Sequence, residues 1–141
     1  MSEIKLVMME GEWERWVPAM REISPKVNAI AVKDADLMSE VGDAEVVYGR
    51  IPRDAFLAAR QLRWVQSIGV GFETMLYPEM IESDVIMTNT AGAYDTAMAE
   101  HAISLILAST RLISHFERNR KTRTWERNRT VTQIEGRCVC V

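Results

Sequence analysis

The sequence of 141 residues is poor in the side chains that form disulfides and metal centres, with two cysteines and two histidines. Cys138 and Cys140 are two positions apart, so a disulfide between them would close no useful loop, and neither has another cysteine as a partner. We therefore predict neither a disulfide nor a metal site. Free cysteines are typical of a reducing compartment, and we expect a cytoplasmic protein.

The sequence also lacks an excess of positive charge and any long apolar run. Its formal net charge is -3, whereas binding to nucleic acid or to a membrane surface usually needs a net basic face. The longest apolar stretch, residues 102–108, is interrupted by Ser104 and is far shorter than the roughly 20 residues that a bilayer requires. The N-terminus has no basic segment followed by an apolar run, so it does not predict a signal peptide. We expect a soluble protein with no nucleic-acid partner and no membrane partner.

Five short apolar segments alternate with helical patterns over the first 95 residues. The predicted strands are residues 4–9, 27–32, 44–48, 63–67 and 85–88. Strands separated by short helices form right-handed βαβ units and a parallel sheet. The predicted fold class is therefore α/β, with a flavodoxin-like parallel five-stranded sheet flanked by helices.

After Asn89 the pattern changes to one long helix over residues 96–116. This helix is apolar around most of its circumference between residues 102 and 108, so we expect it to be buried on more than one side, between two bodies. Residues 117–130 are polar and rich in arginine, with interleaved glutamates that favour a solvated helix end and linker over a nucleic-acid site. Residues 136–141 begin a sixth strand, and a strand with nothing to pack against indicates a truncated chain.

A glycine-containing loop, Ser-Ile-Gly-Val-Gly at residues 67–71, directly follows the fourth predicted strand. Ligands of parallel sheets bind at the carboxyl ends of the strands, and glycine lets a ligand approach backbone N–H groups closely. A group of free N–H groups forms a concave site for an anion such as a carboxylate. The alternative is a tight turn that needs glycine for its shape alone.

Two charged or titratable side chains are further candidates. Arg50 follows the third predicted strand, opens toward the same edge of the sheet and could assist an anionic substrate; the alternative is a solvated arginine. His101 is next to Glu100, but adjacent positions on a helix do not face one another. We therefore interpret His101 as a structural histidine, buried or at an interface.

Three segments of the sequence together resemble a known family. They are RWVQSIGVGFE at residues 63–73, IMTN at 86–89 and MAEHA at 98–102. In order and spacing they resemble the N-terminal half of the D-isomer-specific 2-hydroxyacid dehydrogenases, which include glyoxylate/hydroxypyruvate reductases, phosphoglycerate dehydrogenases and D-lactate dehydrogenases. The resemblance implies an oxidoreductase that transfers hydride between NAD or NADP and a small 2-keto or 2-hydroxy acid.

The resemblance also implies roles for individual residues. The backbone N–H groups of Val70 and Gly71, beside Gly69, would bind the substrate carboxylate. Tyr94 would face the cleft, and Met98 would lie near the nicotinamide end of the cofactor. Together with Arg50, these are the predicted substrate-binding and cofactor-binding residues.

The resemblance has departures and limits. The family usually has Asp where this chain has Glu73, and Thr, Val or Ile where it has Met98. The implied domains are a flavodoxin-like substrate-side domain at residues 1–95, a long interdomain helix and linker at 96–130, and the first strand of a truncated Rossmann domain at 131–141. The family's catalytic Arg, Glu and His belong to the missing part, so we predict no catalytic residue here and no activity for this chain alone.

Other functions remain open beside the enzyme fragment. A receiver domain needs paired acids after the first strand, Asp after the third and Lys after the fifth, whereas this chain has Met9-Glu10, Tyr48 and Asn89 there. A stand-alone, non-catalytic module for binding small carboxylates or for dimerisation is the remaining alternative. The exposed face of the long helix and the unpaired last strand favour a homodimer, which could exchange its C-terminal segment between chains.

Overall fold

The computed structural model describes residues 3–9, 13–127 and 129–140. The chain divides into two compact units, Met1–Gly92 and Ala93–Val141. Within the described residues, none of the helices has the length and apolarity needed to cross a membrane.

The first unit is built on a sheet of five strands in which every neighbouring pair is parallel. The strands are β1 (Ile4–Met9), β2 (Val27–Val32), β3 (Val46–Tyr48), β4 (Trp64–Gln66) and β5 (Ile86–Thr88). Their order, β2-β1-β3-β4-β5, reverses direction between β1 and β3, which is where parallel sheets of this kind open a crevice at their carboxyl edge. The prediction of a flavodoxin-like parallel five-stranded sheet is confirmed.

Short helices connect the strands of the first unit, and two longer helices form the second. They are α1 (Val17–Ile23), α2 (Leu37–Glu40), α3 (Arg53–Ala58), α4 (Pro78–Ile81), α5 (Asp95–Thr110) and α6 (Ile113–Lys121). Proline stands in the first turn of α1 and of α4, where its missing N–H group costs no helical hydrogen bond.

The core of the first unit lies on one face of the sheet. Alternate residues of the strands point to this face and are buried there, together with side chains from α2, α3 and α4. The buried strand residues of this face are Val7, Met9, Val32, Val47 and Val65, and Met8 and Ala29 are buried on the opposite face. The other face is more open over β4 and β5, where Trp64 and Ile86 are exposed.

The second unit corrects three predictions. The single helix predicted over residues 96–116 is two helices, because Leu112 adopts a left-handed conformation (φ 53°) that ends the α-helical path. The predicted burial of this helix is also wrong for the chain as it stands, since α5 contains no buried residue. Residues 137–140 form no strand, because a strand needs a neighbour to accept and donate its backbone hydrogen bonds; Val141 lies outside the described residues.

Candidate functional site

The glycine loop after β4 is anchored by Ser67. This buried serine donates its backbone N–H to the carbonyl oxygen of Thr88 (2.8 Å). Its hydroxyl oxygen accepts a hydrogen bond from the N–H of Gly69 (3.2 Å). The start of the loop is thereby fixed to the end of β5, at the carboxyl edge of the sheet.

The segment after β5 binds the carbonyl groups of the same loop. Nδ2 of Asn89 donates to the carbonyl oxygen of Val70 (2.6 Å). Thr90 donates its N–H to the carbonyl oxygen of Gly69 (3.2 Å) and its hydroxyl to that of Ile68 (3.2 Å). Three successive carbonyl groups of the loop are therefore satisfied on the β5 side.

This arrangement sets the direction of the loop's N–H groups. In a trans peptide the C=O and the N–H of one plane point in opposite directions, so the N–H groups of Val70 and Gly71 point away from Asn89 and Thr90. Among the residues that the structure describes, neither N–H group has a hydrogen-bond acceptor, and both residues are exposed. Two neighbouring, solvent-facing donors at a strand end can bind a carboxylate.

The carboxylate of Glu73 lies close to Gly71. A Cβ atom at position 71 would lie 2.5 Å from Oε2 of Glu73, so a larger residue would displace that carboxylate. Glu73 begins the short 3-10 turn Glu73–Met75, whose last residue is buried in the core. The negative charge of Glu73 opposes a second carboxylate at the loop, but its carboxylate ends a flexible side chain that can turn away.

A second feature of the carboxyl edge lies between β1 and β3. Gly49 has a φ of 128°, and a Cβ atom there would lie 2.9 Å from both Cβ and the carbonyl oxygen of Met9. The N–H of Gly49 donates to the carbonyl oxygen of Gln66 (2.9 Å). Glycine thus lets the ends of β1 and β3 meet, and the next residue, Arg50, is exposed beside a recess of about 280 Å³.

The predicted site residues fall into two groups. Gly69, Val70, Gly71 and Arg50 share the carboxyl edge of the sheet in the first unit. Tyr94 and Met98 lie in the second unit, one helical turn apart at the start of α5, and both are exposed. The N–H of Met98 donates to the carbonyl oxygen of Tyr94 (2.8 Å). Their predicted roles at the cleft stay predictions.

A larger recess, of about 720 Å³, lies on the open sheet face beside Trp64, Ile86 and Thr88. There Nε1 of Trp64 donates to Oγ1 of Thr88 (2.7 Å), which in turn donates to Oε1 of Gln66 (2.6 Å). These polar groups satisfy one another and leave an apolar lining. We place the candidate site at the carboxyl edge, because two neighbouring unpaired backbone donors face solvent there.

The two histidines have different surroundings. The side chain of His101 is exposed rather than buried, and its position at an interface stays a prediction. Nε2 of His115 lies 2.7 Å from Oε2 of Glu126, and Arg129 donates from Nε to Oε1 of the same carboxylate (2.9 Å). The hydrogen bond from His115 is the main reason that the pKa of Glu126 lies below its usual range; Asn119 adds to it.

Sequence reasoning missed three contributors to these arrangements. Asn89 and Thr90 stood out only as a strand end, because Asn89 is 19 positions from Val70 and reaches it only through the pairing of β4 with β5. Glu126 gave no signal, because its partner His115 is eleven positions away. In the described part of the chain, no three His, Cys, Asp or Glu residues are grouped closely enough to hold a metal ion.

The sheet and the glycine loop define a class of protein: a parallel α/β domain with free backbone N–H donors at its carboxyl edge. Comparison with curated proteins then finds D-3-phosphoglycerate dehydrogenase from Archaeoglobus fulgidus, 31% identical over 110 residues. Glyoxylate reductase from Thermofilum pendens is 30% identical over 118 residues. These matches cover 78% and 82% of this chain, but 18% and 31% of the relatives.

Solved structures show the same fold. A D-isomer-specific 2-hydroxyacid dehydrogenase family protein from Aeromonas salmonicida matches with a TM-score of 0.79 and 18% identity, over 96% of this chain and 44% of that chain. D-Lactate dehydrogenase from Aquifex aeolicus, complexed with NAD and lactic acid, matches with a TM-score of 0.71 and 14% identity, over 90% and 40%. No family model matches the chain. Its curated relatives and structural neighbours are thus D-isomer-specific 2-hydroxyacid dehydrogenases, as the motifs predict, and it spans about a fifth to a third of those two curated relatives.

Proposed function

We propose that this chain forms the substrate-side part of an NAD(P)-dependent D-2-hydroxyacid dehydrogenase, an enzyme that reduces a small 2-keto acid to the 2-hydroxy acid. The observation that carries the proposal is the pair of unpaired N–H groups of Val70 and Gly71 at the carboxyl edge of the sheet. The relatedness to glyoxylate reductases and phosphoglycerate dehydrogenases supports it.

The contribution of this chain is to bind and orient the substrate. A carboxylate that accepts hydrogen bonds from the N–H groups of Val70 and Gly71 makes charge-assisted contacts, which are roughly twice as strong as neutral ones. Because Ser67, Asn89 and Thr90 already hold the loop, little further ordering is needed when the acid binds. A fixed carboxylate holds the adjacent keto carbon in one orientation, which lowers the entropic cost of the reaction.

The residues of this chain do not fit the pyrophosphate of the cofactor. The sequence has no G-x-G-x-x-G turn, and α5 carries Asp95 in its first turn, where a negative charge disfavours a phosphate. The proposal therefore assigns the cofactor site to the part of the relatives that this chain does not span. Tyr94 would line the cleft, and Met98 would offer an apolar contact to the nicotinamide.

Titration of the isotope-labelled chain with glyoxylate, followed by NMR, tests the site. We expect the amide signals of Gly69, Val70 and Gly71 to shift in a saturable way, while that of Gly42 stays in place. Glycolaldehyde, which lacks the carboxylate, should cause no such shift. Gly71→Pro should abolish the response, because proline has no N–H group to donate to the carboxylate. Gly42→Ala, at a glycine outside the loop with nothing within 4 Å, should keep the response.

Three results would count against the proposal in different ways. If glyoxylate leaves the loop signals unchanged, the loop is a structural turn. If the chain alone reduces glyoxylate with NADH at a sustained rate, the assignment of catalysis to another part is wrong. Micromolar affinity of the chain alone for a small carboxylate would favour the stand-alone binding module instead, since the same free N–H groups would serve it.

A further inference from the structure

We infer that Asn89 is a positioning residue for substrate binding: its side-chain amide holds the peptide group that presents the N–H of Gly71 to the substrate carboxylate. This inference rests on the proposed function, because it takes the N–H groups of Val70 and Gly71 as the carboxylate site. It distinguishes Asn89 from Ser67 and Thr90, whose side chains hold the loop without contacting the peptide groups that carry these two donors.

Each of the two donors belongs to a peptide group whose carbonyl is held from behind. The carbonyl of Gly69 shares a peptide plane with the N–H of Val70, and the carbonyl of Val70 shares the next plane with the N–H of Gly71. The N–H of Thr90 donates to the carbonyl oxygen of Gly69 (3.2 Å). Nδ2 of Asn89 donates to the carbonyl oxygen of Val70 (2.6 Å). Since the C=O and the N–H of a trans peptide point in opposite directions, each contact fixes the direction of one donor.

The two contacts differ in their dependence on the sequence. The contact behind the N–H of Val70 comes from the backbone of Thr90, which any residue except proline supplies. The contact behind the N–H of Gly71 comes from a side chain, and in the described part of the chain Asn89 is the only donor to the carbonyl of Val70. The direction of the Gly71 donor therefore depends on the residue type at position 89.

The amide of Asn89 is itself oriented by the backbone. Its Oδ1 accepts a hydrogen bond from the N–H of Ala91 (3.2 Å), two residues further along, which is a turn that asparagine favours. With the oxygen held there, the nitrogen faces Val70. A hydrogen bond to a carbonyl also polarises its peptide group and strengthens the N–H on the other side as a donor. Asn89 thus sets both the direction and the strength of the Gly71 donor before the acid binds.

NMR titration of the full chain with glyoxylate tests the inference. Asn89→Ala removes the donor to Val70, and we expect about tenfold weaker binding, as for the loss of one hydrogen bond to a charged group. Before any glyoxylate is added, the amide signal of Gly71 should already move further in this variant than that of Gly69. The amide signals of β1 show whether the first unit remains folded.

Asn89→Asp provides a pH profile that a purely structural role would not change. The aspartate keeps an oxygen for the N–H of Ala91, but it offers no donor to Val70 and adds a negative charge beside the site. Binding at neutral pH should therefore be weaker than in Asn89→Ala. Protonation gives the carboxyl group a donor again, so the affinity should recover as the pH falls into the range where aspartate takes up a proton. Because Glu73 is a second carboxylate near Gly71, the recovery is measured relative to Asn89→Ala and the parent chain over the same pH range.

Thr90→Val is the matched control from the same segment. It removes the hydroxyl that donates to the carbonyl oxygen of Ile68 (3.2 Å), in the peptide group that carries the N–H of Gly69, and it keeps the backbone N–H of residue 90. This variant loses a contact between the same segment and the same loop but leaves the peptide groups of both donors held. It should weaken binding by less than about twofold.

The outcomes separate this inference from the proposed function. Suppose that glyoxylate shifts the signals of Val70 and Gly71 in the parent chain but binds Asn89→Ala equally tightly. Asn89 is then only a loop anchor, and the proposed function stands. The same conclusion follows if Thr90→Val weakens binding as much as Asn89→Ala does, or if Asn89→Asp shows no recovery relative to Asn89→Ala. If the parent chain itself does not respond to glyoxylate, the proposed function fails and this inference fails with it.

Discussion

The two compact units of this chain are stabilised in different ways. The first unit has a core of buried aliphatic and methionine side chains, among them Val7, Val47 and Ile51, that are fully shielded from solvent. In the second unit, none of the described residues is buried. Its helices are held by their own backbone hydrogen bonds and by polar contacts such as that between His115 and Glu126.

The difference shows which parts of the candidate site are preorganised. The glycine loop and Arg50 stand on strand ends whose other residues are packed in a core, so their positions are fixed by the fold of the first unit. Tyr94 and Met98 stand on a helix with exposed apolar residues such as Ile103 and Leu105. Exposed apolar surface of this kind gains stability when another surface covers it.

The largest expected effect is on the core. Ile51→Ala should destabilise the first unit by about 2–5 kcal/mol, because it removes buried methyl and methylene groups and leaves a cavity. Ile103→Ala, in α5, should change stability by less than about 0.5 kcal/mol, since more than half of that side chain is exposed. Hydrogen exchange of the β1 and β3 amides in denaturant measures the stability change in Ile51→Ala. Exchange of the α5 amides measures the stability change in Ile103→Ala. An equal loss of stability in Ile103→Ala would show that another surface covers α5 in solution. The two units would then not differ in the burial of their apolar side chains.

A smaller effect is expected at Gly49. Gly49→Ala should cost about 2–3 kcal/mol, because it places a side chain at a φ of 128° and brings its Cβ against the backbone of Met9. Gly42→Ala is the matched control: its Cβ meets nothing within 4 Å, and it should be neutral or slightly stabilising. Urea unfolding of both variants gives the comparison. Since Gly49 also sets the position of Arg50, a tolerated alanine there would refute the close approach of β1 and β3.

Much of the first unit could be predicted from the sequence. The segments at residues 4–9 and 27–32 coincide with β1 and β2, because runs of apolar and β-branched residues between turn signals are typical of buried parallel strands. The glycine loop could be located for the same reason, since its place after a strand follows from the order of the elements. Its carbonyl partners Asn89 and Thr90 could not, because they depend on the pairing of β4 with β5.

The second unit was harder to predict, for a physical reason. A helix end is usually marked by glycine or proline, whereas α5 ends at Thr110, two residues before a left-handed Leu112, a residue type that rarely adopts this conformation. The apolar pattern of residues 102–108 predicts burial, but burial also needs a surface to pack against. A sequence pattern indicates how apolar a helix is and does not show which partner covers it.

The smallest expected effect concerns the polar contacts of the second unit. The pKa of Glu126 is lowered in the folded chain, first by its hydrogen bond with His115 and then by Asn119 and Arg129. Its contribution to stability is therefore full above the carboxyl's usual value of 4.5 and declines as the pH falls through the lower folded-state pKa. We expect hydrogen-exchange protection of α6 to fall with acidification in that range.

Glu126→Gln should weaken this protection at neutral pH and flatten its acid dependence, while Glu135→Gln, an exposed control in the same unit, should behave like the parent chain. Because the core of the first unit does not depend on this carboxylate, the exchange protection of the β1 amides should not change. An equal loss of protection at the β1 amides would mean that the two units unfold together. Their different modes of stabilisation would then have no consequence for their dynamics.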